Sequence, residues 1–287
     1  TTRLGEAAGA GFGDAVTFAF GDPAQRLYGS ARLGLVAGEP VLASGLVLLF
    51  GDGAPIVADA TGGIELAQAD WARIDAGDLS ATIVEPLRAW EVAYDGDEAG
   101  FALRFDALGE PVELGEGALG TSAADLHGYE QLCRVSGHVR AGKRGWELDC
   151  RGQRGHQWGA PDWERIALAR TLAVWLDDDR GIALAAMRPH AAAGHEQELV
   201  GAALLGEQTA TIADPRLSTT LNAAGCQRRA GLELWIGDES PIPLYGAGEA
   251  VCGTTLDLGR LRLDAAFFHW HVDGHSGVGR YDVLQRA

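Results

Sequence analysis

The stretch that decides the fold is Trp90-Glu-Val-Ala-Tyr94-Asp-Gly-Asp-Glu-Ala-Gly100-Phe-Ala-Leu-Arg-Phe105-Asp106. Trp90, Val92 and Tyr94 alternate with Glu91 and Ala93, and Phe101, Leu103 and Phe105 alternate with Ala102, Arg104 and Asp106. A strand places residues two apart on one face, so this is a β-hairpin with one apolar and one mixed face, closed by the Asp/Gly-rich segment between. A second hairpin reads as clearly. Val135, Gly137 and Val139 lead into Ala141-Gly-Lys-Arg-Gly145, and Trp146, Leu148 and Cys150 return against Glu147, Asp149 and Arg151.

Outward from these hairpins the same period predicts strands at Tyr28–Leu35, Val41–Phe50, Ile166–Leu176, Ile182–Met187 and Leu199–Leu205. It predicts others at Leu232–Ile236, Thr254–Leu263 and Phe267–Asp273. Helical candidates are confined to Ala67–Ile74 and Ser122–His127, each under three turns. Many short strands punctuated by 41 glycines argue an all-β sandwich or barrel. Closing or covering the sheet edges favours the barrel. A Gly/Glu-rich segment, Gly109-Glu-Pro-Val-Glu-Leu-Gly-Glu-Gly-Ala-Leu-Gly120, is a soft domain boundary.

Composition excludes several classes. With 47% hydrophobic residues over 287 positions, the chain can bury one large or two smaller cores. Its 23 Lys and Arg against 40 Asp and Glu leave a net charge of −17, which disfavours nucleic acid and anionic membrane surfaces as partners. Apolar runs such as Gly45-Leu-Val-Leu-Leu-Phe50 are far short of the about 20 residues that span a bilayer, so no membrane insertion is expected. The first residues lack a signal-peptide core, and the four cysteines form no Cys-x-x-Cys pair. These features read as a soluble cytoplasmic protein with free thiols. They leave its oligomeric state open.

Two segments carry chemistry. In Gly152-Gln-Arg-Gly-His156-Gln-Trp158-Gly-Ala-Pro-Asp162-Trp163, strand period turns Arg154, His156 and Trp158 to one face. An imidazole beside a guanidinium and an indole suits proton transfer or the gripping of a polarised unsaturated ligand; a buried His–Trp packing cluster is the plainer alternative. In Phe267-Phe-His269-Trp-His271-Val-Asp273-Gly-His275, the residues His269, His271 and Asp273 share a face and form a weak metal-site candidate, or simply a polar outer surface. Glu130, within Tyr129-Glu130-Gln131, is either an acid or the partner of an arginine. Asp177-Asp-Asp179 reads as a turn. Gly9-Ala-Gly-Phe-Gly13 is not placed for dinucleotide binding, and there is no Gly-x-Ser-x-Gly elbow.

The runs His127-Gly-Tyr-Glu-Gln131, Gly137-His-Val and Gly152-Gln-Arg-Gly-His-Gln-Trp-Gly159, with Asp162-Trp163, resemble the lipocalin-like carotenoid hydratase and AttH-type proteins. Weaker matches are Glu85-Pro-Leu-Arg88-Ala-Trp90-Glu-Val-Ala-Tyr94 and Gly100-Phe-Ala-Leu-Arg-Phe105. The resemblance implies two lipocalin-like antiparallel β-barrel domains in tandem, residues 1–120 and 121–287, the second carrying the His156/Trp158 motif. It implies a cofactor-independent enzyme that holds a terpenoid, polyene or polyketide in a barrel cavity and promotes cyclisation or double-bond protonation and hydration. A non-catalytic carrier of a lipophilic molecule is the alternative. His156, Arg154 and Trp158 match the motif, whose usual Asp is replaced by Gly155 and whose Ser is replaced by Gln157. The proton-donating carboxylate is then expected at Glu130, Asp162 or Asp273. Trp158, Trp163, Tyr129, Trp270 and Trp90 are expected to contact substrate.

Overall fold

The computed structural model describes residues 11–67, 69–114, 125–177, 179–190, 198–207, 209–236 and 242–286. Among these the chain is built from strands, and no helix is long and apolar enough to cross a membrane. In order they are β1 (Gly13–Asp22), β2 (Leu27–Val36), β3 (Val41–Gly51), β4 (Ala54–Leu66), β5 (Arg73–Ala76), β6 (Leu79–Glu85) and β7 (Ala89–Asp95). Next come β8 (Ala99–Ala107), β9 (Val112–Glu113), β10 (Leu126–Ala141), β11 (Arg144–Gly159), β12 (Ile166–Leu176), β13 (Gly181–Pro189) and β14 (Leu199–Leu205). The last are β15 (Ala210–Thr211), β16 (Asp214–Leu221), β17 (Gln227–Trp235), β18 (Leu244–Asp257), β19 (Leu261–Val272) and β20 (His275–Arg286).

These strands make two antiparallel sheets. The first runs β4-β3-β2-β1-β11-β10-β8-β7-β6-β5, with β9 paired to β10, and the second runs β15-β14-β13-β12-β20-β19-β18-β17-β16. Two compact units follow: Thr1–Leu108 with Gln131–Ala160, and Gly109–Glu130 with Pro161–Ala287. The expected division at 120/121 therefore differs from the one observed. From Gln131 on, the β10–β11 hairpin that carries His156 belongs with the N-terminal strands, because Arg151–Gly159 of β11 pair with β1 (His156 opposite Val16, Trp158 opposite Asp14). Strand period states which face a residue takes and says nothing of which strand lies alongside.

The first sheet curls into a near-barrel. Its β5–β6 edge comes back against β3, and a Cβ placed on Gly45 would stand 3.2 Å from the Ala76 carbonyl oxygen. Glycine at that position lets β5 approach β3. Gly137 permits a similar approach within β10: its φ is +132° and a Cβ there would meet the Ala102 carbonyl at 2.2 Å. The interior is apolar and aromatic, with Val16, Phe18, Phe20, Trp71, Trp90, Phe101 and Phe105 all buried.

The second sheet curls into a half-barrel. The Ile212 amide donates to the Ala202 carbonyl on β14 (2.9 Å), and the Ala213 amide donates to the Trp235 carbonyl on β17 (2.9 Å), so one short connection ties both ends of the sheet. Inside, Arg170 pairs with Glu198 and donates to the Leu217 carbonyl (3.1 Å), while the Thr219 and Tyr281 hydroxyls lie 2.5 Å apart.

The two sequence hairpins form β7–β8 and β10–β11, and Ile166–Leu176 and Leu199–Leu205 are strands over those residues. Three expectations fail. Ala67–Ile74 is no helix: Trp71 and Ala72 form a turn, and Arg73 opens β5. Of Ser122–His127, residues 122–124 lie outside the described residues, while Leu126 and His127 open β10. Thr254–Leu263 is two strands around a turn at Leu258–Arg260, because Asp257 accepts the Gly259 amide (2.8 Å) and reverses the chain.

Candidate active site

On the paired strands β1 and β11, directly opposed residues share a face. Asp14 lies opposite Trp158, Val16 opposite His156, Phe18 opposite Arg154, and Phe20 opposite Gly152. Since Val16, Phe18 and Phe20 face the first unit's core, Arg154, His156 and Trp158 point inward with them. Burial declines along β11 toward its end: Arg154 is 2% exposed, His156 7%, and Trp158 half-buried. The imidazole thus sits just inside one end of the near-barrel.

Its partner is Asp14, whose side chain is fully buried. One carboxylate oxygen lies 2.5 Å from His156 Nε2, and the other accepts the Trp71 indole N–H at 3.0 Å. A buried carboxylate is tolerable only when its oxygens are occupied, and here two donors from distant parts of the chain converge on it. Trp71 reaches the interior through a local turn. The Asp70 side chain accepts the Ala72 amide (3.0 Å), the Asp70 carbonyl accepts the Arg73 amide (3.2 Å), and the Ala72 carbonyl accepts the Ile83 amide (3.1 Å). Edge-to-face ring contacts complete the arrangement, with His156 centred 5.9 Å from Trp71 and 5.4 Å from Trp158.

One layer deeper, Arg154 donates to the Gln131 side-chain oxygen, and the Gln131 amide nitrogen donates to the Leu87 carbonyl (3.0 Å). The guanidinium carbon stands 5.5 Å from the Trp90 ring centroid, within cation–π range. Trp90 in turn meets Phe18 (5.5 Å) and Trp71 (6.5 Å), and Phe18 meets Phe105 (5.1 Å). An acid–base pair and a cation therefore sit within an interior otherwise made of aromatic and aliphatic side chains. Such an arrangement can move a proton within an apolar surrounding.

The first unit brings together four residues singled out from sequence: His156, Arg154, Trp158 and Trp90. The others belong to the second unit, where each has a local setting. Tyr129 and Glu130 are half-buried on β10, opposite Glu113 and Val112 of β9. Asp162 shapes the turn into β12: its side chain accepts the Glu164 amide (3.0 Å) and its carbonyl accepts the Arg165 and Ile166 amides (2.9 and 3.1 Å). Asp273 is exposed in the β19–β20 turn with φ of 48°, a conformation Asp tolerates better than most residues. Trp163 is half-buried in the Asp162 turn. Trp270 is 1% exposed and stacks on Phe268 at 5.7 Å in the second core.

The metal candidate is corrected too. His269 and His271 are exposed on β19, His271 lies 3.3 Å from the Ser276 hydroxyl, and among the described residues no group of three or more His, Cys, Asp or Glu is arranged to hold a metal ion. The alternation in that segment is a polar outer face over the buried Phe268, Trp270 and Val272.

Sequence reasoning missed Asp14, Trp71 and Gln131. Asp14 stands 142 positions from His156 and 57 from Trp71, so no spacing rule links them. One signal was present: a lone carboxylate in register with Val16, Phe18 and Phe20, on the face of β1 that turns out to be the core.

A family model described as a domain of unknown function (DUF7064) matches residues 6–287. No curated protein matches the chain. Among solved structures, an AttH-type protein from Nitrosomonas europaea superposes with a TM-score of 0.68 at 13% identity, covering 95% of this chain and 91% of that one. CghA, solved with the compound Sch210972, gives 0.67 at 10% identity, with 96% and 89% covered. Kievitone hydratase from Nectria haematococca gives 0.62 at 11% identity, again with 96% and 89% covered. At these identities the likeness is one of fold, and the tandem lipocalin-like architecture is shared along nearly the whole chain.

Proposed function

We propose, from the premise that the chain belongs to the DUF7064 family, that it is an enzyme acting on a hydrophobic terpenoid, polyene or polyketide held inside the first near-barrel. It promotes cyclisation or double-bond protonation and hydration. The observation that carries this reading is the buried Asp14–His156 pair, at 2.5 Å, set among Trp71, Trp90 and Trp158. One solved structure of the same fold is a hydratase, and another was solved with Sch210972. Both support such a reading of this interior.

In this mechanism Asp14, itself braced by the Trp71 N–H, orients the imidazole and stabilises its protonated form, as a buried carboxylate does in other acid–base pairs. The imidazolium gives its proton to one carbon of a double bond, leaving a carbocation on the other. Indole faces steady that charge by about 0.5–2 kcal/mol each. Attack by water gives hydration, and attack by a second double bond gives a ring. In either case loss of a proton completes the product and restores the imidazolium. The aromatic walls hold the chain folded for the encounter.

The test starts with the purified full chain, whose hydrophobic contents are extracted, identified by mass spectrometry and offered back as substrates. His156→Ala is expected to abolish turnover and keep binding; unchanged turnover would remove His156 from the mechanism. One observation favours a second reading, a carrier: the interior polar groups already satisfy one another, Asp14 with Trp71 and His156, Arg154 with Gln131. A large thermal shift on binding with no product from any extracted compound would establish that reading instead.

A further inference from the structure

Two indoles stand side by side in the first unit's interior, and their N–H groups fare differently. Trp71 gives its N–H to Asp14. Trp90 is 4% exposed, yet its Nε1 is buried and meets no acceptor among the described residues. A buried donor without an acceptor is costly, and natural cores pair nearly all of them. Trp90 also has a cation near its ring, the Arg154 guanidinium at 5.5 Å from the centroid. A positive charge over the ring face draws electron density from the indole and makes its N–H a stronger donor. The donor lies within the aromatic group that surrounds the Asp14–His156 pair, since Trp90 contacts both Trp71 and Phe18.

We infer that Trp90 Nε1–H, sharpened by Arg154, is a specificity-determining donor for an oxygen acceptor on the substrate, so that the molecule taken is an oxygenated chain, carrying a carbonyl, rather than a pure hydrocarbon. The inference rests on the hydrophobic-substrate reading of this interior and narrows it. An apolar wall cannot choose strongly between a hydrocarbon and its oxygenated counterpart. A site with a buried donor to satisfy rejects the analogue that lacks the acceptor.

The test uses a matched pair of linear isoprenoids, the hydrocarbon farnesene and the aldehyde farnesal, titrated into the full chain by calorimetry. Wild type is expected to bind farnesal more tightly. Trp90→Phe, which keeps an aromatic wall and deletes the N–H, is expected to lose about three- to tenfold more affinity for farnesal than for farnesene. A readout on the unaltered protein guards against a variant that fails to fold. The Trp90 indole N–H resonance, assigned by triple-resonance spectroscopy, should move on addition of farnesal and stay with farnesene, while the Trp71 N–H, already bonded to Asp14, stays with both. Equal affinities in wild type, equal losses in Trp90→Phe, or an unmoved Trp90 resonance with farnesal bound would overturn the assignment and leave the hydrophobic-substrate reading standing. Binding of neither probe would remove that reading and the assignment together.

Discussion

Replacing Asp14 by Ala should be among the most damaging single changes in the first unit, and its cost can be worked from the contacts. The Asp14 side chain has no exposure and holds two groups, His156 Nε2 at 2.5 Å and the Trp71 N–H at 3.0 Å. Removing the carboxylate strands two buried polar groups at about 1–3 kcal/mol each. That agrees with the about 3–5 kcal/mol measured when one member of a buried pair is deleted. Asp14→Asn keeps an oxygen for the indole and offers an N–H₂ to a neutral imidazole, so it should cost only about 1 kcal/mol. The assay is urea denaturation followed by tryptophan fluorescence, with each compact unit's transition fitted separately because two-state behaviour is not assured across two units. Asp14→Ala combined with His156→Ala should be less damaging than the two single losses added, by about 1–3 kcal/mol, because they share one interaction. If Asp14→Ala cost under about 0.5 kcal/mol, like an ordinary surface change, or if the double variant were additive, the buried pair would be refuted.

Three further outcomes follow from other parts of the molecule. Burial pushes the Cys150 thiol up to about 12, against a smaller opposing effect of the Gly21 backbone, and likewise pushes Cys252 up to about 12. With Cys133 also buried, a thiol reagent at about pH 8 should label the half-buried Cys226 first, and all four only after unfolding. Glu198→Gln should destabilise the second unit, because it takes the charge from the buried partner of Arg170; a shift in the first unit's transition instead would count against separate cores. Asp149 is held below its ordinary value of 3.8, first by its hydrogen bond from Arg134. Because the folded value lies below the unfolded one, the stabilisation is complete above 3.8 and fades as pH falls through the folded value. The urea midpoints of wild type and Arg134→Ala should therefore converge on acidification, and a gap that persists in acid would contradict the pairing.

The hairpins were legible because each alternates apolar and polar residues over a full strand and is broken by Gly and Asp. Strand β1 carried a weaker signal: Ala15 and Ala19 are buried as well as Val16, Phe18 and Phe20, so its two faces do not contrast. Thr254–Leu263 reads as one strand because Leu256 and Leu258 alternate before the turn and Leu261 and Leu263 after it; only the one-residue slip between the two pairs marks the turn at Leu258–Arg260. Within the candidate site, Arg154, His156 and Trp158 were recognisable as a same-face triplet. Trp90 was visible as the apolar anchor of its hairpin.

What the chain's order of residues determined by itself was local: strand content, the inward or outward sense of each strand residue, the turns, and the clustering of an imidazole with a guanidinium and an indole. The tertiary structure alone decided that β11 pairs with β1 rather than with the strands that follow it. That pairing sets Asp14 beside His156, and the turn before β5 then delivers Trp71 to the same carboxylate. The reason is physical. Side-chain period repeats every two residues and records a face, whereas the partner of a strand is chosen by how a whole sheet curls to cover its edges and bury its rings. No window of sequence contains that competition.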